Sequence, residues 1–453
     1  MLFFILIAAV SSRLVAVVEL CRHGARSPGA FWPWDAGRWP EGVGELLPEG
    51  MRQHYLIGTV LRSRYIQTQQ LMMPFYFQPE IYVFSSDYNR TIMSAQSQIQ
   101  GLYPNGTGPN LRSTAMKTTA IPPINVTNLN GVITNLNMSA LPGNLQVIPI
   151  HTDQIVRQYA LNPSSSCNYY KYLINQKSMM TSQLNDIYNK HNDTINAVME
   201  VLNCTRNYAE QNMQSISDSV TSNVYMGYSL PSQFTPEIVA DMEELAYELK
   251  SFLEFQPDFF SRLAGTPFMN QVVSNLLLSN NSQITQKFFL YSAHDTDISF
   301  ILAFLQLNFS QPPPFASTIF FELYQYGLDY YVNVKYNDVL QIIPTCGGYN
   351  CSFTTFIKYV QFRNIPDFMT VCNTPTYQMN QTQNLRAEKK SFDLPGDGDS
   401  ADLKWYFWVS FGAYLAFLVL VIGATGMMCC KKNPKLQTPA ESMVTIKGDL
   451  TRN

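Results

Sequence analysis

LVAVVELCRHGARSP, from Leu14 to Pro28, is the stretch that decides the fold. Leu14 to Leu20 is a mostly apolar, β-branched run without regular alternation, which is typical of a strand buried on both faces. The run ends at three cationic or titratable side chains, Arg22, His23 and Arg26. Because open α/β sheets bind ligands at the carboxyl ends of their strands, these side chains predict an anion site. The alternative is a surface loop of solvated charges.

The chemistry of these residue types favours a phosphate ligand. Each guanidinium group offers a planar fork of donors that matches a tetrahedral oxyanion. A histidine between two arginines is a candidate nucleophile for a covalent intermediate. Gly24 lets the backbone turn without the penalty of a Cβ atom.

A second cluster follows another predicted strand, Phe288 to Ser292. His294 and Asp295 come directly after it, and Arg90 follows a third predicted strand, Ile81 to Ser85. A phosphoryl group needs several rigid cations, and its leaving alcohol needs an acid. His294 taken alone fits a structural core histidine equally well, but the two clusters together predict one phosphate site.

The rest of the body reads as a sheet domain interrupted by helices. Residues 49–70 have apolar side chains at helical spacing, and a helix follows Arg90 as far as Leu102. Residues 106–286 begin with a polar stretch and continue with helical patterns, which indicates a mostly helical cap inserted between core segments 13–105 and 287–380. Thr318 to Tyr324 and Tyr330 to Tyr336 predict a hairpin.

Both ends of the chain predict a membrane protein. Residues 1–12 resemble a signal peptide, although the alternative is that they begin the first strand. Residues 405–428 are long and apolar enough to span a bilayer, with a stalk at 381–404 and a tail at 429–453; the alternative is a core helix. We therefore expect a single-pass type I protein with a lumenal or extracellular body, in the lysosomal or cell-surface membrane.

Glycosylation signals and charge agree with this topology. Asn-x-Ser/Thr sequons all precede the predicted span, at Asn89, Asn105, Asn125, Asn137, Asn192, Asn203, Asn280, Asn308, Asn350 and Asn380. The net charge of −3 gives no indication of a nucleic-acid partner. No Cys or His spacing indicates a zinc site, and we expect no metal and no cofactor.

The six cysteines of the body allow fifteen pairings. Cys346 and Cys351 are close enough for a local bridge, and Cys167 with Cys372 is the next pairing that we expect. Cys21, inside the first strand, fits a buried thiol, and Cys204 has no evident partner.

The sequence resembles the histidine acid phosphatases of the prostatic and lysosomal type. The motif Arg22-His23-Gly24-Ala25-Arg26-Ser27-Pro28 matches the RHGxRxP signature of that family, and Ser292-Ala293-His294-Asp295 resembles its second motif. The likeness extends roughly from Leu14 to Cys372. It implies an α/β class with a mixed sheet flanked by helices, like that of phosphoglycerate mutases, and a helical cap. A C-terminal transmembrane helix completes the expected architecture.

The resemblance also implies roles for individual residues. His23 would become phosphorylated, and Asp295 would protonate the leaving group. Arg22, Arg26, Arg90 and His294 would bind the phosphate, and hydrolysis would need no metal and have an acidic pH optimum.

Other functions remain as alternatives. One is a catalytically silent, glycosylated ectodomain used for recognition. Others are a lysophosphatidate or inositol phosphate phosphatase of the same fold and a phosphomutase. The partners that we expect are a small phosphomonoester substrate, a membrane through one helix, and a second copy of the chain in a homodimer.

Overall fold

The computed structural model describes residues 12–280, 283–309 and 311–373. A seven-stranded mixed sheet is at its centre. Its strands are β1 (Arg13–Arg22), β2 (Ile81–Ser85), β3 (Phe288–Ala293), β4 (Thr318–Tyr326), β5 (Asp329–Tyr336), β6 (Val339–Gln341) and β7 (Cys351–Ser352). The strand order is β2-β3-β1-β4-β5-β6, with β7 paired to β5. The expected mixed α/β class is confirmed.

Fourteen α-helices accompany the sheet in the described residues. They are α1 (Pro48–Leu61), α2 (Asn89–Leu102), α3 (Met116–Thr119), α4 (Leu129–Leu136), α5 (Pro163–Ser166), α6 (Asn168–Ser178), α7 (Thr181–Lys190), α8 (Asn192–Leu202), α9 (Arg206–Tyr225), α10 (Pro236–Lys250), α11 (Asp258–Asn280), α12 (Asp295–Phe304), α13 (Phe353–Arg363) and α14 (Phe368–Asn373). Among the described residues, no helix combines the length and apolar character needed to cross a bilayer. The predicted stalk, span and tail lie outside these residues, as do positions 1–11.

β1 is buried on both faces, which explains why its sequence does not alternate. Ala16, Val18 and Leu20 join the core that packs under α11, α12 and α13. Val17 and Cys21 join the core on the opposite face, beside α1 and α2. β1 pairs in parallel with β3 and antiparallel with β4. The strand predicted from the sequence is therefore the middle of the sheet.

The helix predicted at 49–70 is present as α1 and a following π-helical segment, Arg62–Thr68. Its buried face, however, carries small and polar residues, including His54 and Gly58. Three of the apolar residues that predicted it, Tyr55, Leu56 and Val60, are exposed. The reason is a close backbone crossing: a Cβ atom on Gly58 would overlap the backbone of α2 at Gln98, and one on Gly101 would overlap that of α1 at Tyr55.

The helices between residues 181 and 250 have an apolar core of their own, built largely from α8, α9 and α10. Thr205 caps α9 by accepting a hydrogen bond from Tyr208 N, and Thr235 caps α10 in the same way from Ile238 N. Trp34, from the loop after the first motif, is buried in this core and donates to Ser219 Oγ at 2.8 Å. This loop is thus held against the helices.

The two expected disulfides are present. Cys167 is bonded to Cys372, and Cys346 is bonded to Cys351. Cys21 is a buried free thiol, and Cys204 is a partly buried one.

Candidate active site

The two sequence motifs meet where neighbouring parallel strands end. Arg22 and Ala293 are partners at the ends of β1 and β3, and His23 N donates to Ala293 O at 2.9 Å. β2 ends beside them, where Ser86 N donates to Ser292 O. The imidazole ring centroids of His23 and His294 are 5.6 Å apart. Strand pairing alone therefore places residues from distant parts of the chain at one edge of the sheet.

His23 is buried and fixed in one tautomer. Its Nδ1 lies 2.8 Å from the carbonyl oxygen of Gly24. Because a carbonyl oxygen only accepts, Nδ1 carries the proton and Nε2 keeps its lone pair. Burial and then Arg22, Arg26, His294 and Arg90 lower the pKa of His23 well below its usual value. The imidazole is therefore neutral and has a free nucleophilic nitrogen.

Gly24 serves a different purpose from the predicted turn. It is not among the glycines with positive φ. A Cβ atom on Gly24 would instead overlap the backbone of Gly50 in α1, and one on Gly50 would overlap that of Ala25. The motif loop thus lies in direct backbone contact with α1.

Three arginines surround this edge, and each has a donor without a partner. The Nε atoms of Arg22, Arg26 and Arg90 are buried and form no hydrogen bond within the described chain. Burying an unpaired donor is costly, and three in one place indicate that an anion completes the site. The residues present therefore fit a phosphate group.

The terminal nitrogens of two arginines are held by neighbours. Arg22 Nη1 donates to the carbonyl oxygen of Pro313, and its guanidinium carbon lies 4.4 Å from the ring centroid of Phe315. Arg26 donates to both carboxylate oxygens of Asp218, at 3.0 and 2.7 Å. These contacts fix the direction of each guanidinium plane.

Arg90 lies in the first turn of α2, where its guanidinium carbon is 4.5 Å from the Tyr88 ring centroid. Its Nη2 is 3.4 Å from His294 Nδ1. Burial and the nearby Arg26 lower the pKa of Arg90 to about 10, so that it stays cationic at neutral and acidic pH. The preceding residue, Asn89, is exposed although its neighbour is half-buried.

His294 is the N-cap of α12, and its backbone N donates to the Asp297 carboxylate at 3.0 Å. Its Nε2 lies 3.0 Å from Ser86 Oγ. Burial and the charge of Arg90 lower the pKa of His294 to about 3. This second imidazole is accordingly neutral above about pH 3.

Asp295 is the first residue of α12 and forms an ion pair that the sequence did not predict. Its Oδ2 is 2.7 Å from Nζ of Lys250, the last residue of α10. Burial raises the pKa of Asp295, but the charges of Lys250 and Arg22 outweigh it and hold the pKa well below its usual value. The carboxyl group is therefore ionised in the free protein.

Buried hydrogen bonds connect the backbone of the motif to polar side chains in the core. His54 Nε2 donates to the carbonyl oxygen of Arg22 at 3.0 Å, and its Nδ1 is 2.9 Å from the amide of Gln98. The same amide lies 2.8 Å from both carboxyl oxygens of Glu19, whose pKa burial raises to about 8. The carbonyl group of Arg22 at the end of β1 is thus linked by hydrogen bonds to Glu19 in the centre of the sheet.

The structure brings together all six residues predicted for the site and adds three that sequence reasoning missed. Asp218 lies in α9, where the sequence has a polar stretch between two helical patterns. Lys250 looks like an ordinary basic residue at a helix C-terminus, and Phe315 follows a proline-rich loop. The helical patterns predicted for the cap include α10, whereas α9 falls in the polar stretch between them.

Two further features of the described chain, His151 and the loop of Trp34, have structural contacts. His151 extends the sheet beside β2, and its ring stacks on that of Tyr82 with 5.1 Å between centroids. The loop that follows the first motif packs through Trp34 into the helical core.

In the described chain, His191, Glu244 and Glu248 bring three potential metal-ligand atoms within 4.8 Å of one another. Lys190 forms ion pairs with both glutamates, so an ammonium group already supplies positive charge there. This cluster lies outside the motif residues.

Known proteins are similar to this chain in sequence and in fold. Residues 32–337 match the family model described as histidine phosphatase superfamily (branch 2). Lysosomal acid phosphatase of Rattus norvegicus is 30% identical over 326 residues, which cover 70% of this chain and 69% of the relative. Prostatic acid phosphatase of Homo sapiens is 26% identical over 83% of this chain and 92% of its own length. The apo phytase of Hafnia alvei has the same fold, with a TM-score of 0.57 and 16% identity over 81% of this chain and 100% of that structure.

Proposed function

The chain belongs to branch 2 of the histidine phosphatase superfamily, and on that premise we propose residue roles for hydrolysis of phosphate monoesters at the edge of β1 and β3. As a member of this family it is a phosphoric monoester hydrolase of the histidine acid phosphatase type. His23 is the proposed nucleophile, and Asp295 is the proposed proton donor. Arg22, Arg26, Arg90 and His294 are the proposed phosphate ligands.

The observation that carries the proposal is the set of three unpartnered Nε donors around a neutral imidazole. A dianionic phosphate would satisfy these donors, and its phosphorus would then face the lone pair of His23 Nε2. Rigid cations that meet a phosphoryl group before reaction also stabilise the charge of its transition state.

The reaction balances in two steps. His23 Nε2 forms a bond to phosphorus while the bond to the leaving oxygen breaks, and protonated Asp295 gives its proton to that oxygen. A water molecule then attacks phosphorus, gives a proton to the Asp295 carboxylate, and breaks the P–N bond. Inorganic phosphate leaves, and both side chains return to their first state.

The charges around Asp295 determine how the activity should change with pH. The donor must be protonated, and Lys250 and Arg22 keep its pKa low. The protonated fraction therefore increases as the pH falls, while the low pKa of His23 keeps the nucleophile neutral in acid. Both effects favour activity at acidic pH, as the names of the relatives indicate.

The names of the lysosomal relatives support a lysosomal or lumenal location. From the sequence patterns we also propose that the protein is a type I membrane protein, that it is glycosylated and that it forms a dimer.

The test is hydrolysis of 4-nitrophenyl phosphate by the full-length chain from pH 4 to 8 with a chelator present. We expect metal-independent turnover that falls by at least about 10³-fold in His23→Ala. His151→Ala is the matched control. That histidine lies beside the outer strand β2 and stacks on Tyr82, so the variant should keep its activity. Undiminished turnover in His23→Ala would refute the nucleophile, and a folded wild type without turnover would refute the function.

A labelling experiment tests the intermediate separately. With substrate carrying radioactive phosphate, the wild type should retain label after quenching in base and lose it in acid, as phosphohistidine does. His23→Ala should retain none.

A further inference from the structure

The ion pair between Lys250 and Asp295 keeps the proposed proton donor ionised in the free enzyme. Lys250 Nζ is 2.7 Å from Asp295 Oδ2, and the two side chains are 21% and 26% exposed. They are therefore within reach of a bound molecule. A carboxylate that is paired with an ammonium group holds its charge, whereas a proton donor must be neutral. Something that engages Lys250 would free Asp295 to take up a proton.

The position of Lys250 next to Asp295 indicates which part of a bound substrate would contact it. Asp295 must lie against the leaving oxygen to protonate it, and Lys250 lies one hydrogen-bond length beyond Asp295. A group attached one or two bonds from the ester oxygen would therefore reach the ammonium. The arginines lie on the phosphate side, so Lys250 is the cation on the leaving-group side.

We propose that Lys250 is a specificity-determining residue that selects phosphomonoesters whose leaving group carries a carboxylate or similar anion next to the ester oxygen. This inference rests on the proposed function. The anion of the leaving group replaces Asp295 as the partner of Lys250. Asp295 then takes a proton from solvent and delivers it to the leaving oxygen, so that substrates of this class activate their own proton donor.

Among the charged groups around Asp295, Lys250 is the one that the leaving group of a substrate can engage. Arg22, Arg26 and Arg90 lie on the phosphate side of the carboxylate together with the neutral His23, and a bound phosphate would neutralise much of the charge of the three arginines. Asp297, on the same helix, has its own contact with the backbone of His294.

Glu254 lies one turn beyond Lys250, and its Oε2 is buried without a hydrogen-bond partner in the described residues. Burial raises its pKa, although Lys250 opposes this. Since Glu254 also attracts the ammonium group, it offers Lys250 a second interaction when Asp295 is released. The ammonium can then remain in place while it changes partners.

A matched pair of substrates tests the proposal. 2-Phosphoglycerate and β-glycerophosphate have the same three-carbon skeleton and differ in one carboxylate that replaces a hydroxymethyl group. We expect kcat/KM of the full-length enzyme to favour 2-phosphoglycerate, and we expect this preference to fall by about tenfold in Lys250→Met. Lys250→Arg should restore part of it, because the cation is kept.

The pH profile gives a second readout that a structural role would not change. Without Lys250 the pKa of Asp295 rises, so the activity of Lys250→Met on β-glycerophosphate should persist to higher pH than that of the wild type. Lys190→Met removes a different ion pair with α10, at an exposed position, and should leave both the preference and the profile unchanged.

The outcomes separate this inference from the function on which it rests. Equal preference in wild type and Lys250→Met, with both substrates hydrolysed, would overturn the role of Lys250 and leave the phosphatase intact. Absence of turnover of both substrates by the folded wild type would overturn the proposed function itself. Because the preference is a ratio within one variant, partial loss of folded protein does not affect it.

Discussion

Asp218 on α9 and Arg26 in the motif loop form a bidentate ion pair, with hydrogen bonds of 3.0 and 2.7 Å. The same carboxylate accepts a hydrogen bond from Gly29 N at 2.8 Å. The two residues are 192 positions apart, so the contact joins the helices to the catalytic edge. It holds both terminal nitrogens of Arg26 and leaves Nε as the donor without a partner.

Asp218 should therefore act by positioning Arg26. In Asp218→Ala the guanidinium loses its fixed plane, and we expect KM for a generic monoester to rise by about tenfold with a smaller change in kcat. Inhibition by inorganic phosphate should weaken in parallel. Asp241→Ala, a carboxylate in α10 that contacts His191, is the control for effects on the helices alone. An unchanged KM in Asp218→Ala would show that Arg26 needs no such support.

Inorganic phosphate should stabilise the folded protein by engaging the unpartnered arginine donors. Ligand binding to the native state alone contributes about 2.7 kcal/mol at 100 times Kd, which is measured as a rise in Tm. Arg90→Met should lose most of this rise. Arg157→Met removes an exposed guanidinium that pairs with Asp153 and should keep it. An equal phosphate effect in both variants would place the anion elsewhere.

The sequence was sufficient for the parts of the site that follow strands. A short apolar run followed at once by charged or titratable residues identified the ends of β1 and β3, and parallel pairing then brings His23 and His294 together. Local pattern and local chemistry agree at these positions. The same holds for the hairpin of β4 and β5, whose turn contains Gly327 with a positive φ.

The contributions of the helices could not be predicted in this way. Asp218 and Lys250 are ordinary polar residues in their own helices, and only the folding of α9 and α10 onto the sheet gives them partners. Gly24 was predicted to form a turn, but its actual constraint is Gly50 on another element. Contacts between distant segments leave no periodic signal in a single sequence.

Glu19 should make stability depend on pH in the neutral range. Its pKa is about 4.5 in the unfolded chain and about 8 in the folded protein. Both states are protonated below pH 4.5. Between pH 4.5 and 8 the unfolded chain ionises first, so stability falls with rising pH by at most about 1.4 kcal/mol per unit.

Glu19→Gln should remove this dependence, because a neutral amide can still contact Gln98. Urea unfolding from pH 4 to 9 measures the difference, and the variant should gain on the wild type as the pH rises. Glu243→Gln changes an exposed carboxylate and should follow the wild type. Parallel curves for Glu19→Gln and wild type would mean that Glu19 is ionised in the folded protein.

The two disulfides should differ in their contributions to stability. Cys167 and Cys372 are separated by 205 residues, whereas Cys346 and Cys351 are separated by 5. Loop-closure entropy gives upper limits of roughly 5 and 2 kcal/mol respectively. Replacing each pair by serines should therefore lower Tm more for the first pair in thermal melts. The reverse order would show that loop entropy does not dominate here.

The glycine contacts described above divide the enzyme into a part that is fixed and a part that can diversify. Where Gly24 meets Gly50 and Gly58 meets Gly101, main chain touches main chain, and no side chain there can be exchanged for a larger one. These contacts set the spacing between the loop of His23 and the helix of Arg90, and with it the size of the proposed phosphate site. The side chains that α9 and α10 present have no such restriction. Descendants of this chain can therefore acquire new substrates by substitutions in those two helices while the chemistry stays the same.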